Sequence, residues 1–156
     1  MLTDGIIIEN WNWDNLQQHY PAFFELYVEN TQGHELDKII SVEYIQKKAD
    51  QLPSLFENNQ IIFFAALYNN QLVGFLWAFP RTFIETKRIC INAIIVNENY
   101  RGLKIGDRLM TALETKAHQM GVSEIDVATA HFKQDTIAWY QKLGYQPERV
   151  QLFKKI

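Results

Sequence analysis

The stretch VNENYRGLKIGDRLM, residues 96–110, joins a β-rich segment to a helical one through a turn that carries two glycines. The segment before the turn, KRICINAIIVN (87–97), is rich in β-branched residues and predicts a strand. Apolar residues after the turn recur at the spacing of one helical face, at Leu109, Leu113, Ala117 and Met120. A strand, a glycine turn and a helix are therefore predicted in direct succession.

This succession predicts an anion-binding site at the turn. The first helical turn presents backbone N–H groups and the positive end of the helix dipole to any ligand above it. Gly102 and Gly106 allow close approach of the backbone, and Arg101 and Lys104 add positive charge. A pyrophosphate is the natural ligand for such a turn. The competing interpretation is a plain strand-to-helix connection, because short glycine patterns are common.

Two helices are predicted between a first strand, GIIIENW (5–11), and the next β-rich region. The first helix begins near Asp14 and contains Pro21, which must begin, kink or interrupt it. The second has Ser41 as its N-cap and ends at Pro53. The side chains expected on the core faces are Leu16, Tyr20, Phe23, Phe24 and Tyr27 in the first helix, and Val42, Ile45, Ala49 and Leu52 in the second.

A β-hairpin is predicted in residues 60–83, where two β-rich segments meet at Asn69 and Asn70, since asparagine tolerates the positive φ of a tight turn. Downstream of the glycine turn and its helix, three more elements are predicted: a strand at EIDVATA (124–130), a helix at TIAWYQKL (136–143) and a last strand at RVQLFKKI (149–156). The order β-α-α-β-β-β-α-β-α-β predicts an α/β fold, a mixed sheet with helices on its faces, in one domain of residues 1–156.

Composition excludes several classes of protein. The 156 residues are 47% hydrophobic and 21% charged, as in ordinary globular proteins. No apolar run approaches the roughly 20 residues of a membrane span, and no basic leader with a cleavage site is present, so we expect a cytoplasmic protein without a membrane partner. A net charge of −3 without a basic stripe disfavours nucleic acid as a partner. A single cysteine, Cys90, and the scattered histidines predict neither a disulfide nor a metal site.

The stretch 96–110 resembles motif A of the GNAT family of N-acetyltransferases, a strand followed by Arg/Gln-x-x-Gly-x-Gly/Ala. Arg101 and Gly106 match this pattern, and Lys104 stands where the family has its first glycine. A second stretch, TIAWYQKLGYQ (136–146), resembles the family's motif B, in which a helix carries a tyrosine and ends in Lys-x-Gly-Phe/Tyr. The matching residues are Tyr140, Lys142, Leu143, Gly144 and Tyr145, whereas Lys133 replaces an asparagine that often precedes the tyrosine.

The resemblance implies a GNAT-like acyltransferase fold, with acetyl-CoA as co-substrate and direct acetyl transfer to a primary amine of a small molecule or protein. The pantetheine arm would lie between the splayed strands 87–97 and 124–130, and the turn would hold the pyrophosphate. The implied acetyl-CoA-binding residues are Ile94, Ile95, Val96, Arg101, Gly102, Leu103, Lys104, Ile105, Gly106, Asp107, Lys133 and Tyr140.

The chemistry of such a transfer needs an acid and a base. By resemblance, Tyr140 stands near the departing sulfur, where a phenol with a pKa of about 10 can protonate a thiolate of pKa about 8.5. The competing interpretation is a tyrosine that only packs beside Trp139. The amine must lose a proton, and Asn92 and His131 are candidates to orient a water or accept the proton. Cys90 occupies a position where many members have a glutamate, and we expect it to be a small buried residue.

Two other functions stay open at this point. The first is a non-catalytic acyl-CoA-binding regulatory protein of the same fold, which the absence of the glutamate permits. The second, more distant, is a sensor-type ligand-binding module without CoA. In the GNAT family the acceptor site is built from the first two helices, here about 14–58, and the hairpin. A homodimer is compatible with the sequence.

Overall fold

A computed structural model describes residues 5–31 and 38–156 and contains one five-stranded sheet. The strands, in chain order, are β1 (Ile6–Asn10), β2 (Ile62–Tyr68), β3 (Gln71–Phe83), β4 (Thr86–Val96) and β5 (Glu124–Val127). Their order in the sheet is the order along the chain. Strands β1 to β4 pair antiparallel with one another in succession, and β5 runs parallel to β4. This topology confirms the predicted mixed sheet.

Six α-helices flank the sheet within the described part of the chain. They are α1 (Trp13–Gln18), α2 (Tyr20–Thr31), α3 (Val42–Ala49), α4 (Leu52–Glu57), α5 (Ile105–Gln119) and α6 (Gln134–Lys142). A 3-10 turn, Glu98–Tyr100, lies between β4 and α5. None of the described helices is long and apolar enough to cross a membrane.

The two helices predicted before the hairpin are four shorter ones. The first is interrupted between α1 and α2, and Pro21 lies in the first turn of α2, where a missing N–H breaks no helical hydrogen bond. Ser41 caps α3 as predicted, because its hydroxyl accepts a hydrogen bond of 3.2 Å from the Tyr44 amide. Pro53 does not end a helix but lies in the first turn of α4, for the same reason as Pro21.

The sheet separates two hydrophobic clusters. One face packs against α5 and α6, and we call it the α5 face. The other packs against α1 to α4, and we call it the aromatic face because Phe23, Phe63 and Phe75 meet at its centre. The ring centroid of Phe23 lies 5.8 Å from that of Phe63 and 5.0 Å from that of Phe75. The predicted core positions Leu16, Ile45, Ala49 and Leu52 are buried in this second cluster.

Two predicted core side chains are exposed instead. Val42 is 39% exposed because it is the first residue of α3, and Met120 is 41% exposed because it is the residue that ends α5. The hairpin turn is as predicted, with φ angles of 48° at Asn69 and 61° at Asn70. Periodicity thus identified most core positions within the helices but placed the terminal residues Val42 and Met120 wrongly.

Two predicted strands differ from the structure. The strand expected at 124–130 ends at Val127, so Ala128, Thr129 and Ala130 lie beyond it. The last strand, expected at 149–156, does not form, and all eight of its residues are exposed. A β-rich sequence becomes a strand only when a neighbouring strand supplies hydrogen bonds, and no described residue pairs with this segment.

Replacing Phe23 by alanine should lower the free energy of unfolding by about 3–5 kcal/mol, because the ring is fully buried between two other rings and leaves a cavity. Urea denaturation followed by circular dichroism would measure the loss. Phe24→Ala is the matched control, since Phe24 is only partly buried on the same helix and should lose about 1 kcal/mol. Equal losses in the two variants would contradict the assigned core.

Candidate active site

The sheet opens between β4 and β5 at the carboxyl ends of both strands. Their parallel pairing runs from Arg88 opposite Glu124 to Ile91 opposite Val127 and goes no further. β4 continues to Val96, so its backbone at 92–96 has no strand partner on the β5 side among the described residues. Free N–H and C=O groups of this kind can bond an extended ligand as a further strand would. The splayed strands predicted from the sequence are therefore present, with Ile94, Ile95 and Val96 at the opening.

A β-bulge occurs in β4 at the beginning of the opening. Trp77 of β3 lies opposite Ala93 while Ala78 lies opposite Ile91, so Asn92 is the extra residue. Asn92 is exposed, and its side chain lies near the hydroxyl of Tyr27 on α2. Burial raises the pKa of Tyr27, and the neighbouring Asn92 side chain partly offsets that rise. The bulge thus directs the predicted catalytic residue Asn92 to the aromatic face, beside a buried tyrosine.

The turn before α5 has the geometry that an anion site needs. Lys104 precedes the helix with a φ of 57° and a ψ of 26°, the left-handed conformation that costs most residues about 1–2 kcal/mol. No side chain caps this helix, and the first intrahelical hydrogen bond joins the Arg108 amide to the Lys104 carbonyl. The amides of Ile105, Gly106 and Asp107 thus come before the first helical bond. Although Lys104 replaces a glycine of the motif, it adopts the conformation that glycine favours.

A depression of about 390 Å³ lies at this helix N-terminus. Its lining consists of Gly102, Leu103, Lys104, Asp107, Arg108 and Thr111. Lys104 and Arg108 add two positive charges, although the first turn of the helix also carries the carboxylate of Asp107. The sequence analysis missed Arg108, whose spacing of four residues from Lys104 was the available signal.

Arg101 lies away from the depression and has another contact. One of its terminal nitrogens donates to the side-chain oxygen of Asn30 at 3.0 Å, and its Nε donates to the Val96 carbonyl at 3.4 Å. The guanidinium therefore connects the last turn of α2 to the end of β4. This geometry does not support the predicted role of Arg101 in phosphate binding. It supports a role in fixing α2 to the end of β4, next to the opening.

Gly106 serves the packing of two helices rather than the approach of a ligand. A β-carbon at this position would lie 3.2 Å from the ring of Trp139 on α6. The indole Nε1 of Trp139 donates to the Asp107 carboxylate at 2.8 Å. Gly102 is different, since its φ is 81° and a β-carbon added there would meet no described atom within 4 Å. Only Gly102 thus has the openness that was predicted for both glycines.

Tyr140 is buried beside the aromatic residues of motif B. Its ring lies 4.8 Å from that of Trp139 and 5.4 Å from that of Tyr145, and only 6% of the residue is exposed. Burial raises the pKa of Tyr140 to about 12, so its hydroxyl is protonated at every physiological pH. The structure therefore supports the packing interpretation of this residue and leaves its hydroxyl available as a donor.

His131 and Lys133 lie in the segment between β5 and α6. The His131 side chain is exposed, and its ring meets that of Phe132 edge-on at 5.7 Å. Its backbone carbonyl accepts a hydrogen bond of 2.5 Å from the Gln134 side chain, at the start of α6. Lys133 immediately precedes that helix. Both residues are thus near the carboxyl end of β5, outside the two hydrophobic clusters.

A charged cluster on the aromatic face was missed by the sequence analysis. The carboxylate of Asp126 on β5 accepts hydrogen bonds from Arg81 on β3 and from Arg88 on β4, and it lies opposite Cys90. Burial would raise the pKa of Asp126, but the hydrogen bond from Arg81 and the neighbouring Cys90 thiol lower it on balance. Arg81 and Asp126 are 45 residues apart, so no local pattern could have connected them.

Cys90 is the thiol of this cluster and is only partly exposed. Burial and the neighbouring Asp126 carboxylate raise the pKa of the thiol to about 11. A thiol rather than a thiolate is therefore present at neutral pH, and a thiol is a poor nucleophile. The expectation of a small buried residue was wrong, because Cys90 is only partly buried and lies opposite the charged Asp126.

Known proteins share the segment of the chain that contains the bulge, the opening beside it and the uncapped helix α5. Residues 13–145 match the family model described as the acetyltransferase (GNAT) family. The chain belongs to the GNAT acetyltransferase family. A curated relative of this GNAT chain is an amino-acid acetyltransferase from Salmonella arizonae, 27% identical over 112 residues. The match covers 72% of the chain and only 21% of that relative, so the chain spans about a fifth of its length.

Solved structures of other acetyltransferases share the fold. An aminoglycoside acetyltransferase from an uncultured soil metagenomic sample, in complex with trehalose, superposes with a TM-score of 0.74 at 19% identity, over 100% of this chain and 99% of that one. The aminoglycoside acetyltransferase AAC(6')-Iy with a CoA bisubstrate analogue gives 0.75 at 18%, over 97% and 98%. Glucosamine-6-phosphate N-acetyltransferase from Arabidopsis thaliana gives 0.68 at 14%, over 96% and 97%. At these identities the likeness concerns the fold.

Alkylation should show that Cys90 is inert. Because its pKa is raised to about 11, the thiolate fraction at pH 7.5 is very small, and iodoacetamide should label the folded protein at least tenfold more slowly than the urea-unfolded protein. The labelling rate of the folded protein should rise up to about pH 11. Mass spectrometry at several pH values measures both rates. Labelling of the folded protein that levels off near pH 8 would contradict the raised pKa.

Proposed function

We propose that this GNAT chain is an acetyl-CoA-dependent N-acetyltransferase that transfers the acetyl group directly to a primary amine of a small molecule or peptide. The observation that carries the proposal is the unpaired backbone of β4 at 92–96, which ends beside the uncapped N-terminus of α5. An extended thiol arm with a pyrophosphate at one end has the shape and charge for this pair of sites.

In this proposal the two parts of the site bind different parts of acetyl-CoA. Those backbone groups of the stretch Ile94, Ile95 and Val96 that point away from β3 bond the amides of the pantetheine arm. The amides of residues 103–107, together with the charges of Lys104 and Arg108, hold the pyrophosphate. Lys133, at the start of α6, stays a proposed contact, and Arg101 acts by holding α2 to the end of β4.

The proposed role of Tyr140 is hydrogen-bond donation to the departing sulfur. When the amine nitrogen attacks the thioester carbonyl, a C–N bond forms, the C–S bond breaks and negative charge moves to sulfur. A phenol with a pKa of about 12 is a weaker acid than a CoA thiol with a pKa of about 8.5. Complete proton transfer from Tyr140 to the thiolate is therefore uphill by about 3.5 pKa units. The hydroxyl therefore stabilises the thiolate as a donor, and the thiolate takes its final proton from solvent.

The acceptor amine is proposed to approach from the aromatic face, where Asn92 and Tyr27 lie at the bulge. A primary amine with a pKa of about 10.4 is mostly protonated at neutral pH and must lose a proton before it attacks. Asn92, which cannot itself take a proton, would orient a water that carries the proton away. His131 is the proposed alternative, since an imidazole can accept a proton near pH 7 and this one is exposed. Direct transfer is favoured because Cys90 is a protonated thiol.

Binding of the pyrophosphate can be tested at Lys104. Acetyl-CoA at a hundred times its Kd should stabilise the wild type by about 2.7 kcal/mol in a thermal-shift assay. Lys104→Met keeps the length of the side chain but removes its charge, so we expect Kd for CoA to rise about five- to tenfold by calorimetry. Binding of pantetheine, which has no pyrophosphate, should be unaffected.

Lys47→Met is the control for this charge, because Lys47 lies in the last turn of α3, on the other side of the sheet from α5. Its Kd for CoA should match that of the wild type. A wild type that is folded yet shows no thermal shift with acetyl-CoA would rule out the proposed function. An equal loss of affinity for CoA and pantetheine in Lys104→Met would show that the lysine does not face the phosphates.

Acetyl transfer can be tested through Tyr140 by measuring the release of free thiol from acetyl-CoA with a panel of amines. The panel comprises aminoglycosides, amino acids, amino sugars, polyamines and peptides. With the best acceptor, Tyr140→Phe should lower kcat about ten- to a hundredfold, because the variant removes one hydrogen bond to a charged group. The Kd for acetyl-CoA should stay the same. Binding without thiol release for any amine would favour the non-catalytic acyl-CoA-binding alternative.

Tyr145→Phe is the matched control for Tyr140→Phe. The Tyr145 hydroxyl is also buried in motif B but has no hydrogen-bond partner among the described residues, so its loss should leave kcat within about twofold.

The pH profile adds a second criterion. Because the pKa of Tyr140 is raised, its hydroxyl stays protonated up to about pH 12, and kcat/KM should rise with pH as the amine deprotonates, without falling below pH 10. A fall between pH 8 and pH 10 would exclude Tyr140 as the donor.

A further inference from the structure

A second groove lies at the edge of the sheet that is farthest from the proposed active site. Its volume is about 570 Å³, which is within the usual range of binding sites for small molecules. Residues 10–14 at the end of β1, residues of α4 and of the link from α4 to β2, and Lys116 of α5 line it, and we call it the edge groove. Neighbouring strands lie roughly 4.8 Å apart, so β1 is about 14 Å from β4 and its opening.

One side of the edge groove is a wall of aromatic rings. Trp13 and Phe56 are both partly buried, with ring centroids 6.0 Å apart and planes inclined by 42°. The neighbouring Trp11 is buried, because it stacks on Phe63 and its indole nitrogen donates to Glu9 at 2.8 Å. The parts of Trp13 and Phe56 that stay exposed are therefore apolar surface that a ligand can cover.

Charged groups of both signs surround this wall. The carboxylates of Asp14, in the first turn of α1, and Glu57, the last residue of α4, form no ion pair or hydrogen bond within the described part of the chain. The ammonium of Lys116, in the last turn of α5, has no such partner there either. The edge groove thus offers two carboxylates to a cation and one ammonium to an anion.

The two signs of charge lie on opposite sides of the sheet. The helices that carry the carboxylates, α1 and α4, pack on the aromatic face, whereas the helix that carries Lys116 packs on the α5 face. The edge groove joins the two sides around the start of β2, where Ile61 packs towards the aromatic face and Ile62 towards the α5 face. A ligand that contacts both sides must therefore carry its opposite charges at its two ends.

A short peptide with free ends has this distribution of groups. A single amino acid bears its ammonium and carboxylate on one carbon, whereas each residue of an extended chain separates its ends by about 3.3–3.6 Å more. Peptide bonds need donors and acceptors, and the side-chain amides of Asn10 and Asn59 line the groove without bonding to any described residue. An apolar side chain of the peptide would cover the aromatic wall.

We propose that the edge groove binds a short peptide through both of its free ends, with the amino terminus at Asp14 and Glu57 and the carboxyl terminus at Lys116. The aromatic wall packs on an apolar side chain of the peptide, and the two asparagine amides bond its backbone. None of these residues belongs to the proposed acetyl-CoA site. The peptide site therefore goes beyond the proposed activity and stands independently of it.

The four tryptophans of the chain report where a peptide binds. In a nitrogen–proton correlation NMR spectrum, trileucine with free ends should shift the indole N–H signal of Trp13, which the Trp13→Phe variant identifies. The signals of Trp77, buried in the sheet, and Trp139, on α6, should not move. Absence of a shift at Trp13, or equal shifts of all four signals, would overturn the proposal.

The ends of the peptide test the two charged sides of the groove. Lys116→Met should raise the Kd of free-ended trileucine about two- to fivefold, as expected for one exposed ion pair, and leave the Kd of carboxyl-amidated trileucine unchanged. A variant that combines Asp14→Asn with Glu57→Gln should weaken the free-ended peptide at least about twofold and leave N-acetylated trileucine unaffected. Equal losses for free and capped peptides would overturn the proposal.

Lys47→Met is the matched control for Lys116→Met, because Lys47 lies in the last turn of α3 and does not line the groove. This variant should bind free-ended trileucine as the wild type does, and an equal loss in both variants would overturn the proposal.

Saturation with CoA separates the edge groove from the proposed active site. Because the groove lies across the sheet from the opening, the Kd of trileucine should be the same with and without CoA. Displacement of the peptide by CoA would place the peptide in the opening and overturn the proposal. A protein that binds trileucine at Trp13 but binds no CoA would support the edge groove and contradict the proposed function alone.

Discussion

The structure depends on the point at which the pairing between β4 and β5 stops. Both strands lie side by side as far as Ile91 and Val127, and beyond them β4 continues alone. The bulge at Asn92 lies at this point. Its extra residue increases the local twist and bends β4 where the partner strand ends. Backbone groups that a longer β5 would occupy are left free. Every proposed contact with the pantetheine arm follows from that single interruption.

The helices behind the opening are joined to each other as well as to the sheet. Gly106 lets Trp139 lie against the first turn of α5, and the Asp107 carboxylate accepts the indole hydrogen bond. This contact holds α6, and with it Tyr140, beside the uncapped N-terminus of α5. A residue that motif comparison assigns to ligand binding, Gly106, thus acts through helix packing. Its neighbours Lys104, Asp107 and Arg108 line the depression, whereas Gly106 is not among the lining residues.

Local signals predicted much of the fold and part of the site. The asparagine turn of the hairpin, the Ser41 cap and the strand, turn and helix around Lys104 all depend on residues close together in sequence, and all are present. The prediction was wrong for Pro53, which begins a helix, and for residues 149–156, which form no strand. It also missed Arg81, Arg88 and Asp126, whose ion pairs join distant segments. Ion pairs between residues that are far apart in the sequence produce no periodic pattern along it.

The sequence by itself determined the family and the succession of strand, turn and helix around Lys104, because the signals for these come from one short stretch of the chain. Only the tertiary structure decided where β5 ends, that Arg101 binds Asn30, and that Tyr140 is buried enough to raise its pKa. Each of these depends on surfaces that come together from separate parts of the chain. Burial and strand pairing are properties of such surfaces, and no local stretch of residues contains them.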